Sequence, residues 1–311
     1  MRFLSLGAGA IGGYFGGRLV EGGSDVSFLV RNKRKAQLSQ DGIKIKSQFG
    51  DFASPVNALT VAEAEGKHWD VVFVTCKAYD LPSAIETLRS VVGPATAVLP
   101  FLNGLAHIEA LNSAFGKERV LGGLAKIAAT LHPDGLIEHL NDWRYVTFGE
   151  QSGDISARVE KIKAAFDATS VVATAVPDVM QTMWEKLVHL ATVAGMTTLM
   201  RSAVGEIAAT PNGSSLMTSF LEKNAKVSAL EGYPVSDTFL NEYRTLFRDK
   251  QSTYKASMLR DIERNGPIEA DHIIGFVLER ARRHGLEDTM HSLVYANLKA
   301  YENKQRLIGA A

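Results

Sequence analysis

The feature that most constrains the fold is a glycine-rich turn, Gly7-Ala8-Gly9-Ala10-Ile11-Gly12. It lies between a short apolar run, residues 3–6, and a helical pattern over residues 14–21. A strand that passes into a helix through glycines at this spacing opens a βαβ unit, and each glycine has a separate task. Gly7 permits the tight turn, Gly9 lets the backbone approach a pyrophosphate without a Cβ in the way, and Gly12 lets helix and strand pack closely. The start of the helix adds unpaired N–H donors and positive partial charge, a setting for phosphates. Gly22-Gly23 stops the helix, and residues 25–30 form the next strand. A glycine-rich turn without a ligand would have the same composition, but its place at the head of a βαβ unit points to a dinucleotide. Gly7, Ala8, Gly9, Ala10, Ile11 and Gly12 are therefore the candidate cofactor-binding residues.

NAD-selective sites usually carry an acid at the end of the second strand, where it accepts hydrogen bonds from the ribose 2′-hydroxyl. Here the chain reads Leu29-Val30-Arg31-Asn32-Lys33-Arg34-Lys35. A carboxylate would repel a 2′-phosphate, whereas Arg31 pairs with one bidentately, so the expected cofactor is NADP(H). The alternative, a solvated basic helix start, works against the helix dipole.

Short β-like runs at 71–75, 97–100, 120–123, 145–149 and 171–176 alternate with helical patterns at 81–91 and 155–169. This is the pattern of a parallel sheet covered by helices on both faces. After Pro177 the periodicity is helical, over residues 183–199, 215–231, 269–284 and 289–306, with breaks at Pro211-Asn212-Gly213 and Asn265-Gly266-Pro267. The expectation is an α/β Rossmann-type domain over residues 1–176 and an all-α domain over 177–311. The length, 311 residues, suits two domains with proper cores.

Thirty-four basic residues balance thirty-four acidic ones, which leaves no overall field for a nucleic acid or an anionic membrane surface. The single cysteine, Cys76, permits no internal disulfide, the N-terminal apolar run is too short for a signal-peptide core, and no run reaches 18 apolar residues. A cytoplasmic location is expected. The eight histidines show no metal-ligand spacing, so no metal is expected. Trp69, Trp143 and Trp184 read as core or interface anchors.

Two polar residues follow predicted strands on the side where open α/β sheets bind ligands: Lys77 and, in Leu102-Asn103-Gly104, Asn103. A lysine there neutralises phosphate or substrate charge, and an asparagine amide orients a nicotinamide ribose or a reacting carbonyl. Taken singly, each reads equally well as an exposed loop residue.

Several segments together resemble the ketopantoate reductase family. They are the glycine turn with Gly13, Thr75-Cys76-Lys77-Ala78-Tyr79, Leu102-Asn103-Gly104, Trp184-Glu185-Lys186-Leu187, Ser257-Met258-Leu259-Arg260-Asp261 and Glu269-Ala270-Asp271. They fall in order over essentially the whole chain. The resemblance implies NADPH-dependent reduction of a 2-oxo acid, ketopantoate to pantoate on the route to pantothenate, in a cleft between the two domains. It makes Lys186 the proton donor, with Asn103 holding it or the substrate oxygen. Ser257 binds the substrate carboxylate, and Glu269 touches the cofactor or Lys186. Without the resemblance these are an exposed helical lysine beside Glu185, a helix-start serine and a first-turn acid.

The family commonly continues from its lysine as Lys-Leu-x-x-Asn-x-x-x-Asn, and an asparagine often precedes a later Gly-Glu. Leu190, Ala194 and Val204 stand at those places. Fewer donors and acceptors leave a more apolar wall, which suits a more apolar 2-oxo acid. His189, three positions after Lys186, reads as a packed residue or as a second acid. A redox-sensing NADP-binding regulator that has lost turnover is the reading from outside enzymology, and retention of Lys186, Asn103 and Glu269 together argues against it. A homodimer is compatible with an apolar helical domain.

Overall fold

The structure, a computed structural model, describes residues 1–309. They form two compact units: Met1–Leu102 with His107–Val179, and Asn103–Ala106 with the chain from Met180 onward.

The first unit begins β1 (Arg2–Leu6), α1 (Ala10–Glu21), β2 (Asp25–Leu29), α2 (Asn32–Asp41), β3 (Ile43–Lys46), β4 (Phe52–Ser54), β5 (Asn57–Leu59) and α3 (Val61–Ala64). It continues with β6 (Val71–Val74), α4 (Leu81–Leu88), β7 (Ala97–Pro100), α5 (Ala106–Phe115), β8 (Leu121–Lys126), β9 (Ala129–Leu131), β10 (Leu136–His139), β11 (Tyr145–Glu150), α6 (Ala157–Asp167) and β12 (Val172–Ala175). Five strands form a parallel sheet in the order β5-β2-β1-β6-β7, with Leu4 in register with Ser27 on one side and Val72 on the other. The apolar runs of β6 and β7 are buried throughout, as strands covered on both faces must be. Phe3, Phe15, Phe73, Phe101, Phe148 and Phe166 fill the core, Phe73 stacking on Phe166 with centroids 6.1 Å apart.

Two features depart from a parallel sheet with helices on both faces. Beyond β7, the parallel bridge Val98–Val120 leads to a mixed group, β12-β11-β8, in which β8 and β11 are antiparallel. In addition, a second sheet, β4-β3-β10-β9, packs on α1. The helix is thus held between two sheets, which explains its paired glycines. A Cβ at Gly16 would lie 2.7 Å from the ring of Phe28 in the first sheet, and one at Gly17 would lie 2.7 Å from Cδ1 of Ile45 in the second. The strands of the second sheet are only three or four residues long, too short to show a period in the sequence.

The second unit is helical: α7 (Val179–Met200), α8 (Val204–Ala208), α9 (Gly213–Leu230), α10 (Asp237–Leu246), α11 (Ser257–Glu263), α12 (Phe276–Arg283) and α13 (Thr289–Gly309). The helix expected to run unbroken from Glu269 to His284 instead opens with a π-helical turn, Asp271–Gly275, before α12. Asp271 anchors that turn by accepting hydrogen bonds from Tyr295 Oη (2.7 Å) and Lys299 Nζ (3.0 Å), both on α13. Among the described residues, no helix is long and apolar enough to cross a membrane, and no group of three or more His, Cys, Asp or Glu residues could hold a metal ion.

Candidate functional site

The glycine turn fits a dinucleotide on three separate observations. Gly7 has φ +94°, and its N–H donates to the carbonyl of Leu29 (2.8 Å), fixing the turn at the end of β2. A Cβ on Gly9 would meet nothing within 4 Å, so backbone is presented to open space there. Gly12 has no such room: a Cβ would fall 2.6 Å from the carbonyl oxygen of Gly7 and 2.8 Å from Oγ of Ser5. Helix α1 starts at Gly9 with no side-chain cap and no acid in its first turn, which leaves its leading N–H groups and dipole to a ligand.

Arg31 caps the start of α2 and is exposed, with Asn32, Lys33 and Arg34 following in a first turn that has no acid. The residue of this run that reaches the glycine turn is Arg34. It donates from Nε (3.2 Å) and Nη2 (3.0 Å) to the carbonyl of Ala8 and from Nη1 to Gln37 (2.5 Å). Burial lowers its pKa somewhat from the arginine value. Arg34 escaped the sequence reading because, of four basic neighbours, only helical geometry decides which one folds back. Lys77 follows β6 and is exposed ahead of a single 3₁₀ turn, Ala78–Asp80.

The second unit collects the residues expected to do chemistry. Lys186 is half-buried on α7, in an accessible stripe with Thr182, Glu185, His189 and Leu190, while Met183, Trp184, Leu187, Val188 and Ala191 pack inward. Asn103 leaves the sheet of the first unit and groups with the helical unit. Its neighbour Gly104 has φ +80° and sits against the carbonyl oxygen of His272, in contact so close that a Cβ has no place. Glu269, just ahead of the π-helical turn, is a carboxylate only 6% exposed. Ser257 is exposed at the first position of α11.

The apolar wall expected from the missing asparagines reduces to one residue. Leu190 is half-buried on the accessible stripe, but Ala194 and Val204 are fully buried in the helical core. They replace polar groups with packing, not with a surface for a ligand. His189 is built into an aromatic cluster that no local spacing announces. Its ring lies nearly parallel to those of Tyr243 (4.3 Å between centroids) and Tyr254 (5.7 Å), and Nε2 is 3.2 Å from the Tyr254 hydroxyl. Trp69 and Trp184 are buried, as expected of core anchors, whereas Trp143 is exposed beneath the ammonium of Lys126.

Two family models match in tandem: Ketopantoate reductase PanE/ApbA over residues 3–153, and its C-terminal part over residues 178–302. The chain belongs to the ketopantoate reductase family. It is 36% identical over 302 residues to an uncharacterized oxidoreductase, YkpB, of Bacillus subtilis, covering 97% of this chain and 99% of the relative. It is 27% identical to 2-dehydropantoate 2-reductase of a Nostoc species, with 98% and 96% covered. The solved 2-dehydropantoate 2-reductase of Methylococcus capsulatus superposes with a TM-score of 0.89 at 26% identity, over 98% of each chain. As a ketopantoate reductase family member the protein is an NADP-dependent oxidoreductase acting on CH–OH groups, with the family's α/β N-terminal and helical C-terminal architecture.

Proposed function

We propose that this enzyme reduces a 2-oxo acid to the corresponding 2-hydroxy acid, ketopantoate to pantoate being the leading reaction and pantothenate synthesis its setting. The observation that carries the reading is that three polar groups of the expected kinds fall in one compact unit. In one compact unit the chain places a half-buried ammonium on an accessible helical stripe, the amide of Asn103 and the nearly buried carboxylate of Glu269. The naming of several curated relatives as 2-dehydropantoate 2-reductases supports the substrate.

In this reading the backbone of Gly7 to Gly12 and the start of α1 bind the diphosphate, Arg31 pairs with the 2′-phosphate, and Lys77 adds positive charge. NADPH, when bound, supplies the hydride. Lys186 Nζ polarises the ketone and gives a proton to the oxygen on which negative charge develops, so that a neutral alcohol leaves. Asn103 orients the carbonyl or the ribose, Ser257 binds the carboxylate, and Glu269 accepts from Lys186 or from a cofactor hydroxyl. A second reading, a more apolar 2-oxo acid, is favoured by Leu190, which lies on the Lys186 stripe where the family pattern has an asparagine.

The half-buried lone thiol of Cys76 suits a reducing compartment, and a cytoplasmic homodimer is the state we propose; the exposed leucines Leu293 and Leu307 on α13 supply apolar surface for it. Light scattering tests the assembly. Oxidation of NADPH in the presence of a panel of 2-oxo acids tests the reaction: at least one acid supports steady turnover, and failure with all of them removes the proposal.

A further inference from the structure

The accessible stripe of α7 runs past Lys186 into a cluster of rings at His189. His189 lies three residues after Lys186, and Tyr254 lies three residues before Ser257. The hydrogen bond between Tyr254 Oη and His189 Nε2 (3.2 Å) therefore ties together the two elements that hold the ketone and the carboxylate in the proposed reaction. Tyr243 stacks on the same imidazole, and Phe239 extends the cluster with its ring 4.7 Å from that of Tyr243. All four residues are half-buried. Burial raises the pKa of both phenols, Tyr243 far above the usual tyrosine value, and they stay neutral over the working range. Charged groups acting on the two phenols include Glu185 and Glu242 at Tyr243 and Arg260 at Tyr254.

We infer that the preferred substrate is a 2-oxo acid bearing an aromatic ring, which packs against the His189, Tyr243 and Tyr254 rings beside Leu190. The inference rests on the reductase reading and sharpens its second form, the more apolar 2-oxo acid, against ketopantoate. Aromatic rings reward edge-to-face and offset contact with another ring beyond simple area burial, and aliphatic chains lack that geometry. The hydroxyl of Tyr254 is already engaged with His189, and Leu190 adds an apolar contact in place of an amide.

The test compares phenylglyoxylate and phenylpyruvate with 2-oxoisovalerate and ketopantoate, using the full-length enzyme and following NADPH oxidation. The expected kcat/KM for the better aryl acid exceeds that for 2-oxoisovalerate by about 10-fold or more. Tyr243→Leu should cut the aryl value by about the same factor and change the aliphatic values and the KM for NADPH by no more than about twofold. Tyr254→Phe keeps a ring and should retain most of the preference. Equal or better turnover of the aliphatic acids by the wild-type enzyme overturns this inference alone, as does a Tyr243→Leu enzyme that loses all substrates in proportion. No NADPH oxidation with any acid overturns the reductase reading and this inference with it.

Discussion

The main-chain carbonyl of His272 is the seat on which Gly104 rests, so the residue after Asn103 is held by the π-helical turn that starts two positions beyond Glu269. Two polar groups far apart in sequence are thereby placed by one piece of backbone. Gly104 combines φ +80° with a contact that leaves no room for a Cβ, so Gly104→Ala meets both backbone strain and collision. It should lower stability by roughly 1–3 kcal/mol and reduce kcat as Asn103 moves. Denaturant unfolding and steady-state kinetics on the same preparation check this. Unchanged values for both would show that the turn does not hold Asn103.

Arg31 and Arg34 separate by function. Arg31→Ala removes an exposed group proposed to pair with the 2′-phosphate, so NADPH binding should weaken by roughly 1.5–3 kcal/mol while NADH binding stays the same. Arg34→Ala removes both hydrogen bonds to the Ala8 carbonyl, loosens the glycine turn, and should weaken NADPH and NADH together. Titration of both cofactors into both variants distinguishes the roles. Equal loss of the two cofactors in Arg31→Ala would take the 2′-phosphate away from that residue.

The contrast between these two arginines shows where reading the sequence stops. The glycine turn was legible because its chemistry is local: strand, three spaced glycines and helix lie within twenty residues. The long helices were legible through their period, and the core tryptophans through their bulk. What escaped depends on distant partners. Four short strands form a sheet over α1, where Ile45 and Ile137 pack against Gly17 and Gly13. Arg34 is distinguished from Arg31 only by the Ala8 carbonyl 26 residues away. The His189 cluster joins three segments up to 65 residues apart, and the π-helical turn depends on Tyr295 and Lys299.

The same distinction revises what restoring asparagines should do. Leu190→Asn changes an accessible position and should raise kcat/KM for ketopantoate relative to apolar 2-oxo acids. Ala194→Asn forces an amide into a filled core, and an unsatisfied group there costs roughly 1–3 kcal/mol before any overpacking. Thermal melting should therefore fall for Ala194→Asn and change little for Leu190→Asn. A stable Ala194→Asn enzyme with altered specificity would put that position back in the substrate wall.

A pH dependence follows from His291, which is 1% exposed. Its Nε2 donates to Asn224 Oδ1 (3.0 Å), whose amide donates to Thr192 Oγ1 (2.9 Å), linking α13, α9 and α7. Burial, with Lys223 adding repulsion, pulls its pKa down to about 4. Between the unfolded value of 6.5 and about 4 the unfolded chain holds the extra proton. Stability is therefore constant from this group above pH ~7 and falls as pH drops through that window, by about 2 kcal/mol at pH ~5. His291→Gln should flatten this part of the profile in chemical denaturation at pH ~7 and pH ~5. An unchanged slope would assign the acid sensitivity elsewhere.

Lys186 carries the chemical step in the proposed reaction, and its substitution separates catalysis from folding. The side chain lies on the accessible stripe of α7, while the residues that anchor the helix point inward, so Lys186→Ala removes an ammonium without opening the core. General acid catalysis contributes typically 10²- to 10⁴-fold, so kcat should fall by about that factor, with the melting temperature and NADPH affinity nearly unchanged. Lys186→Arg keeps the charge and loses the easily released proton; it should retain substrate binding better than turnover. A Lys186→Ala enzyme that reduces its best 2-oxo acid at near wild-type kcat would place the proton elsewhere. His189 would then be the next group to test, through a His189→Gln variant that keeps a hydrogen-bonding partner for Tyr254.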